Sequence, residues 1–468
     1  MALVIGGGVV IGLWPRIKPV PQEHTAAGPA DEPNEAPSIP EVPKDGTPAE
    51  LIWARTLGGA DRDGFNAVAV APDGGLIAAG RSRSHLDDSG PAADLSDDAL
   101  ITKFTPEGEL AWAKTAGGTG ADGFFAVAAA PDGSLVAAGY TASSDGVFPP
   151  TKGEEDAVIA RFTAEGELTW AKTLGGEAPD VFTALAVAPD GGFAAVGWTY
   201  SPGGDFPPAT SHDQADAVIA RFTAEGDLVW ARALGGAFSD FFEAVALAPD
   251  GGFVAAGNTY SSGGGDFPPA KESEYGDALI ARFTPEGELT WANTVGGTSD
   301  DGFGGVVAAS GGGFTAAGWT ASSDGDFPPA TGEHGLAHYD AVIAQFTAEG
   351  VLTWANTLGG EEREHFYGLA AAPGGGFAAV GSAASSDGAF PPAKNAGFDD
   401  ALIARFTAEG ELMWAETLGG ADDDAFDAVA VPADGSFNAV GSTLSTDGDL
   451  PATKGDADAL ISRFAGDG

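Results

Sequence analysis

The sequence predicts an all-β fold, a seven-bladed β-propeller built from four-stranded antiparallel blades. Three observations support this prediction: a tryptophan-containing segment recurs seven times, each interval holds four strand-like runs, and the two ends of the repeat region complement each other. The segment is close to W-A-x-T-L-G-G and recurs every 58 to 63 residues. Its tryptophans are Trp53, Trp112, Trp170, Trp230, Trp291, Trp354 and Trp414.

Each repeat contains four short apolar runs that read as strands. In the third repeat these runs are residues 182–188, 193–199, 216–222 and 227–234. Ala-Pro-Asp-Gly-Gly joins the first two runs and Thr-Ala-Glu-Gly joins the last two, and both are short Gly-bearing turns typical of tight hairpins. Consecutive strands should therefore pair antiparallel, which makes each repeat one blade.

Strand direction fixes where the connections lie. Both tight turns must fall on one face of the disc, here called the tight-turn face. The long loop after the second strand, residues 201–215 in the third repeat, and the loop leading to the next blade must share the opposite, long-loop face. Because long, variable loops on a rigid scaffold usually carry function, we expect binding at the long-loop face.

The ends of the repeat region predict how the ring closes. It begins with a fourth-type run at residues 51–57 and ends with a third-type run at 458–464, so the N-terminal strand should complete the last blade in a one-plus-three arrangement. Such closure leaves no open sheet edge within the ring. The alternative is a non-closing β-solenoid, whose coils are usually shorter than this repeat.

Two segments precede the predicted propeller of residues 50–468. Residues 1–18 are largely apolar and are interpreted as a signal, a membrane anchor or a docking tail, although residues 2–14 are shorter than a membrane helix and lack preceding basic residues. Residues 19–49 are rich in proline and acids and predict an extended linker. This order favours an extracellular or cell-surface domain that meets a membrane only through its N-terminal segment.

Charge and cysteine content exclude several functions. The formal net charge is −47, which would repel nucleic acid phosphate and makes DNA or RNA an improbable partner. The same charge attracts cations, so calcium is the one cofactor we consider. There is no cysteine, which excludes disulfides, cysteine-ligated zinc and a thiol nucleophile.

The repeat itself resembles a known family. The run D-A-V-I-A-R-F-T-A-E-G-E-L-T-W-A-K-T-L-G-G, then F-x-A-L-A-V-A-P-D-G-G-F-A-A-V-G-W-T with Asp-Phe-Pro in the long loop, is similar to the bacterial seven-bladed β-propeller repeat. The resemblance covers residues 50–468 and implies a fold and frequent export, but no single activity. Departures occur at residues 81–97, which lack Asp-Phe-Pro-Pro, and at Glu364-His365.

One acidic residue stands two positions before the phenylalanine that opens each repeat. A ring of seven carboxylates at the channel mouth could hold a hard cation such as calcium. The alternative, which we favour, is that each carboxylate accepts backbone N–H groups of its own loop. These residues are Asp63, Asp122, Asp180, Asp240, Asp301, Glu364 and Asp424.

Other repeated or clustered residues are weaker candidates. A second acidic set precedes every third strand, and we expect it to build the blade: Asp98, Asp156, Asp216, Asp277, Asp340, Asp400 and Asp458. The long-loop phenylalanines are expected to anchor their loops or, if exposed, to form a ligand platform: Phe148, Phe206, Phe267, Phe327 and Phe390. Asp324–Asp326 suggests a loop calcium site, and His334, His338 and His365 suggest a shared metal.

The favoured function is a non-catalytic scaffold for binding or adhesion, with a protein or glycan partner at the long-loop face. No Gly-x-Ser-x-Gly elbow or repeated histidine pairing suggests an enzyme, but a glycan-active carboxylate pair is an alternative. A second alternative is a structural subunit of an extracellular filament or surface layer that self-associates through its N-terminal tail. Specific recognition should appear where the sevenfold symmetry breaks.

Overall fold

The computed structural model describes residues 49–84, 96–208, 214–263, 265–271, 275–309, 312–330, 338–394 and 398–466. The described residues form 28 strands in seven four-stranded antiparallel sheets. No helix among them has the length and apolar character needed to cross a membrane. The predicted tail of residues 1–18 and nearly all of the predicted linker of residues 19–49 lie outside the described ranges.

Each blade contributes one strand to each of four positions, from the axis of the ring to its rim. The innermost strands are β2 (Asp63–Val70), β6 (Asp122–Ala129), β10 (Asp180–Val187), β14 (Asp240–Leu247), β18 (Asp301–Ala308), β22 (Glu364–Ala371) and β26 (Asp424–Ala430). The second strands are β3 (Leu76–Ser82), β7 (Leu135–Thr141), β11 (Phe193–Thr199), β15 (Phe253–Thr259), β19 (Phe314–Thr320), β23 (Phe377–Ala383) and β27 (Phe437–Thr443).

The third and outermost strands complete each sheet. The third strands are β4 (Asp98–Phe104), β8 (Asp156–Phe162), β12 (Asp216–Phe222), β16 (Asp277–Phe283), β20 (Asp340–Phe346), β24 (Asp400–Phe406) and β28 (Asp458–Phe464). The outermost strands are β1 (Leu51–Leu57), β5 (Leu110–Ala116), β9 (Leu168–Leu174), β13 (Leu228–Leu234), β17 (Leu289–Val295), β21 (Leu352–Leu358) and β25 (Leu412–Leu418). Blades 1 to 6 are β2–β5, β6–β9, β10–β13, β14–β17, β18–β21 and β22–β25, and blade 7 is β26–β28 with β1.

The ring closes as predicted. Strand β1 pairs antiparallel with β28, from Leu51 opposite Phe464 to Leu57 opposite Ala459, so blade 7 contains strands from both ends of the chain. The innermost strands of neighbouring blades contact one another around the entire ring, including β26 with β2. The seven-bladed propeller and its one-plus-three closure are therefore confirmed.

The hydrophobic core consists of seven clusters, one in each seam between adjacent blades. In the seam between blades 2 and 3, for example, Ile159 of blade 2 packs with Phe182 and Phe222 of blade 3. The last cluster joins blade 7 to blade 1 through Val440, Ile461 and Phe65 among others. Each blade thus buries both of its faces against neighbours.

The repeated tryptophan ties each outermost strand to the turn of the next blade. Trp170 of blade 2 lies against Gly226 in the Thr-Ala-Glu-Gly turn of blade 3, where a Cβ would collide with the indole ring. The indole N–H of Trp230 also donates to Pro285 O of the following blade at 3.0 Å. Glycine is therefore required at this turn for two reasons. Gly226 adopts a positive φ of 76°, and the absence of a side chain leaves room for the indole ring.

The long loops and inter-blade loops meet on one face, as predicted. Val147 N of a long loop donates to Gly117 O of the preceding inter-blade loop at 3.1 Å, and Asp205 N donates to Gly175 O at the same distance. The arginines of the third strands point instead to the tight-turn face, where Arg161 pairs with Asp132 at 2.8 Å and Arg282 with Asp250 at 2.6 Å.

Gly226→Ala tests the tryptophan contact, with Gly133→Ala as its matched control. Both glycines have positive φ, but a Cβ at Gly133 would have no atom within 4 Å. Alanine in the left-handed region costs about 1–2 kcal/mol at either site, and the collision with Trp170 should cost about 1–3 kcal/mol more at Gly226. Thermal unfolding should therefore show a clearly lower midpoint for Gly226→Ala, whereas equal midpoints would contradict a tryptophan clamp.

Candidate functional site

The seven acidic residues at the start of the innermost strands build loops. Each is buried, and one oxygen of each carboxylate accepts the N–H of the second glycine in the Gly-Gly pair four residues earlier, at 2.8 to 3.0 Å. Hydroxyl groups from the end of the second strand and the start of the long loop donate to the same carboxylates, as Ser201 does to Asp180 at 2.8 Å. These contacts match the favoured interpretation from the sequence.

In blade 6 a glutamate, Glu364, replaces the aspartate of the other blades and keeps the hydrogen bond to its inter-blade loop. In most blades the cross-strand partner of this acid is Thr or Ser, as in Asp180 opposite Thr199, but Glu364 lies opposite Ala383, which has no hydroxyl. The longer side chain instead accepts the backbone N–H of Ser385 at 3.0 Å. The departure seen in the sequence is therefore a local compensation within blade 6.

In most seams, a carboxylate that precedes the third strand of one blade lies close to the carboxylate that begins the innermost strand of the next blade. Between Asp156 of blade 2 and Asp180 of blade 3 lies Gly175, where a Cβ would collide with both carboxylates. Burial and, to a smaller extent, the charge of Asp156 raise the pKa of Asp180 to about 6, although hydrogen bonds from Thr199 and Ser201 oppose the rise. In the same way, burial and then Asp277 raise the pKa of Asp301 to about 7.

The carboxylates of the predicted loop calcium site already have partners within the protein. Asp324 accepts the N–H of Thr298 at 2.9 Å, whereas Asp326 pairs with Lys271 at 3.0 Å, so the two carboxylates have different partners. Among the described residues, no three His, Asp or Glu side chains are arranged to hold a metal ion. Calcium binding stays a prediction of the sequence alone.

The long-loop phenylalanines are anchors and not a ligand platform. All five are buried, and Phe206 packs edge-on against Phe182 with ring centroids 5.6 Å apart. The same edge contact recurs in the other four loops. Recognition by these rings is therefore excluded by their burial.

The symmetry breaks at the long-loop end of the channel, near the ends of the second strands. At one position, opposite the second residue of each innermost strand, the side chain differs from blade to blade. In chain order the residues are Arg81, Tyr140, Trp198, Asn258, Trp319, Ser382 and Ser442. A position that blade packing leaves free to vary in size and polarity is a candidate for recognition.

Aromatic side chains gather at this end in blades 2 to 6. We call the set Tyr140, Trp198, Tyr200, Phe241, Tyr260, Trp319, Tyr339, His365 and Tyr367 the aromatic arc. Rings of blades 3 and 4 and rings of blades 5 and 6 lie 4.9 to 6.4 Å apart, as between Trp198 and Phe241 and between Tyr339 and His365. Tyr140 of blade 2 packs instead against Phe125. Most of these side chains are only half-buried, so their rings reach solvent at the mouth of the channel.

Asp300 holds the arc together between blades 4 and 5. Its carboxylate accepts the N–H of Gly276 at 3.0 Å and the hydroxyl of Tyr260 at 3.3 Å, and Trp319 and Tyr339 also direct donors at it. Burial raises the pKa of Asp300. The rings are thus fixed by hydrogen bonds before any ligand arrives.

At the position that Tyr140, Trp198 and Trp319 occupy, blades 7 and 1 carry Ser442 and Arg81 and no aromatic ring. A Cβ at Gly64 would meet only Ser442, at 3.9 Å, whereas at the equivalent Gly123 it would lie 2.8 Å from the Tyr140 ring. The Tyr140 ring therefore crosses the innermost strand of its own blade, and its buried hydroxyl has no hydrogen-bond partner in the described structure. The aromatic rings at the mouth therefore belong to blades 2 to 6 among the residues that the structure describes.

A second ring of variable residues lies deeper, on the wall of the channel. Every innermost strand has a β-bulge directly after its conserved phenylalanine, and a bulge redirects the extra side chain. In chain order the bulged residues are Asn66, Phe125, Thr183, Glu243, Gly304, Tyr367 and Asp427. Burial raises the pKa of both Glu243 and Asp427 to about 7, and Arg81 opposes the rise at Asp427.

The predicted histidine cluster is only partly described. His334 lies outside the described residues, and His338 and His365 belong to no metal-sized group in the part of the chain described. His365 is instead a ring of the aromatic arc, stacked on Tyr367 at 5.7 Å. Burial, and secondarily Arg363, lowers the pKa of His365 to about 3, so the imidazole is neutral.

The sequence interpretation missed the aromatic arc and the two channel carboxylates. Their residues are scattered over six blades, and no local motif contains them. A signal was nevertheless present, because aligning the seven repeats shows columns in the innermost and second strands, among them those of Trp198, Phe241 and Glu243, that vary in size and charge beside nearly constant residues.

Comparisons with known proteins do not assign this chain to a family. No protein-family model and no curated protein matches the sequence, so the likeness to the bacterial repeat stays a resemblance. Sqt1 from Chaetomium thermophilum is 13% identical with a TM-score of 0.44, over 89% of this chain and 99% of that one. BamB from Moraxella catarrhalis is 12% identical with a TM-score of 0.36, over 88% and 99%.

A third similar structure was determined with a bound peptide. The structure of YCF48 bound to D1 peptide is 10% identical with a TM-score of 0.42, over 92% of this chain and 98% of that one. Similarities this distant carry no argument about what the present chain binds.

The seam carboxylates predict that stability falls as pH rises. Burial raises the folded pKa of Asp180 and Asp400 to about 6 and that of Asp301 to about 7, above the unfolded values of about 4, so the native state binds more protons at these groups between about pH 4 and 7. The unfolding free energy should therefore decrease from pH 5 to pH 7.5. Thermal unfolding in 0.5 M NaCl, which screens surface repulsion, measures this.

The substitution Asp156→Asn tests whether the seam carboxylates cause this pH dependence of the unfolding free energy. Its Oδ1 is buried without a partner while Oδ2 accepts the N–H of Lys152 at 2.7 Å, so an amide keeps that contact and removes one charge facing Asp180. The midpoint at pH 7.5 should rise and the pH dependence shrink, whereas the exposed Glu165→Gln should change neither. A lower midpoint for Asp156→Asn would show that the ionised pair is required.

Proposed function

We propose that this protein is a non-catalytic binding scaffold that recognises its partner at the long-loop end of the channel. The single observation that supports the proposal most strongly is the break of sevenfold symmetry at the aromatic arc. Blade building accounts for residues repeated in every blade, but it does not require Trp198 and Trp319 where blades 6 and 7 carry Ser382 and Ser442.

The chemistry of the mouth suits recognition. Half-buried tryptophan and tyrosine side chains offer large contact areas with few rotatable bonds, and such residues dominate the energetics of binding sites. Their positions are fixed in advance by Asp300 and by ring-to-ring packing, which lowers the entropy lost on binding. We propose a protein or glycan as the partner.

The surrounding face supports the same site. Phe238, in the inter-blade loop before β14, has 40% of its surface exposed, and Phe398, in the long loop before β24, has 41%. Exposed rings beside a mouth lined by aromatic residues extend the area available to a partner. An extracellular or cell-surface location, with a role in adhesion, is proposed from the sequence of residues 1–49 and from the strong negative charge.

Matched substitutions on the two faces test the proposal. The full-length chain is screened on peptide and glycan arrays beside Phe238→Ser on the long-loop face and Val351→Ser, which is 61% exposed at the tight-turn end of β21. Loss of one aromatic contact should weaken binding about tenfold for Phe238→Ser. Val351→Ser should leave binding unchanged.

The opposite pattern, with Val351→Ser as the weaker binder, would place recognition on the tight-turn face and contradict the proposal. Reaction products from a bound glycan, absent when the wild-type protein is heat-inactivated, would show an enzyme instead.

A further inference from the structure

Glu243 and Asp427 suggest what kind of ligand the mouth accepts. They occupy two of the seven bulge positions on the channel wall, in blades 4 and 7, and no loop or seam contact explains them. The inference rests on the proposed binding function and specifies the chemistry of its ligand.

The bulge position faces the backbone carbonyl of the next innermost strand. Asn66 donates its amide N–H to Phe124 O at 2.8 Å, and Thr183 donates its hydroxyl to Phe242 O at 2.6 Å. At Gly304 a Cβ would lie 3.0 Å from the corresponding Phe366 O. The wall of the channel at this level therefore favours hydrogen-bond donors.

In Glu243 and Asp427, a carboxylate stands at the position where other blades place a hydrogen-bond donor. Below a pH of about 7 a protonated Glu243 or Asp427 can donate as Asn66 and Thr183 do, whereas above it the ionised form adds acceptors beside carbonyl acceptors and has no proton to donate. Within the described structure Asp427 Oδ1 is buried without a hydrogen-bond partner, and Glu243 is half-buried on the channel wall. In their ionised form such carboxylates are stabilised by a ligand that brings both positive charge and N–H donors.

The aromatic residues favour an organic cation over a metal ion. Calcium requires six to eight oxygen ligands, and among the described residues no group of three acidic or histidine side chains converges. Phe125 and Tyr140, whose ring centroids lie 5.5 Å apart with the planes tilted by 30°, instead offer aromatic surfaces that attract ammonium and guanidinium groups.

The arginines near the mouth do not create an anion site. Arg83 pairs with Asp97 at 2.9 Å, and Arg363 pairs with Asp399 at 2.9 Å. Arg81 lies 3.9 Å from Asp97 and also acts on Asp427, so it competes with an incoming cation. With a net charge of −47, the field of the protein as a whole attracts cations.

We propose that the channel mouth binds lysine or arginine side chains of a basic peptide segment, with Glu243 and Asp427 as acceptors and Phe125 and the aromatic arc as walls. The peptide enters from the long-loop face.

Fluorescence anisotropy with labelled octalysine and octaarginine, and octaglutamate as a negative probe, tests the proposal on the full-length chain in 150 mM NaCl. The channel variant is Glu243→Gln with Asp427→Asn. Its control is Glu165→Gln with Glu225→Gln, which removes the same charge from exposed sites on the tight-turn face. The channel variant should bind at least about tenfold more weakly, equivalent to about 1.4 kcal/mol, and the control should match the wild type.

Two further variants change affinity through separate mechanisms. Phe125→Leu keeps the bulk and the charge but removes a ring face, and should weaken binding about threefold. Arg81→Gln removes the competing cation and should strengthen binding. Unchanged thermal midpoints confirm that each variant is folded.

Equal weakening by the channel variant and its control would show attraction by the general field alone and overturn the proposal. Loss of peptide binding on adding 2 mM calcium chloride, at constant ionic strength, would also overturn it by assigning the carboxylates to a metal. In either case a selective loss of array binding by Phe238→Ser would leave the proposed binding function standing.

Discussion

Each blade has apolar side chains on both faces of its sheet, and the need to bury both faces determines most of this structure. A blade of this kind is stable only between two others, so each of the seven hydrophobic clusters contains residues of two adjacent blades. A row of such blades must either cap its ends or close. Strand β1 closes it, because its pairing with β28 makes the last blade depend on both ends of the chain.

The seams also explain much of the repeated sequence. A glycine separates two buried carboxylates, a tryptophan covers the turn glycine of the next blade, and lysines of the long loops pair across alternate seams with Asp205, Asp326 and Asp449. Blades 2 and 6 carry Val147 and Ala389 in place of that aspartate, and the blades before them have no long-loop lysine. In these three seams a lysine of one blade is therefore matched to an aspartate of the next.

The fold could be predicted because its determinants are local and repeated. Tryptophan spacing, turn glycines and the surplus strand at residues 51–57 are sufficient for blade number, closure and the two faces, and the loop role of Asp180 and its equivalents follows from ordinary turn chemistry. The pairing of Asp156 with Asp180 was not predictable, because it depends on how neighbouring blades stagger. Recognition of the aromatic arc likewise required knowing that residue 198 and residue 241, from different repeats, meet at one end of the channel.

The central claim is that repeated residues build the ring and variable residues at its mouth bind. The most direct test replaces Tyr140, Trp198 and Trp319 together by serine, the residue that blades 6 and 7 already carry at this position, and measures array binding and thermal unfolding of the full-length chain. The claim predicts a folded ring, with a modest fall in the midpoint, that has lost the wild-type binding profile. A variant that keeps the profile would contradict the claim and place recognition elsewhere.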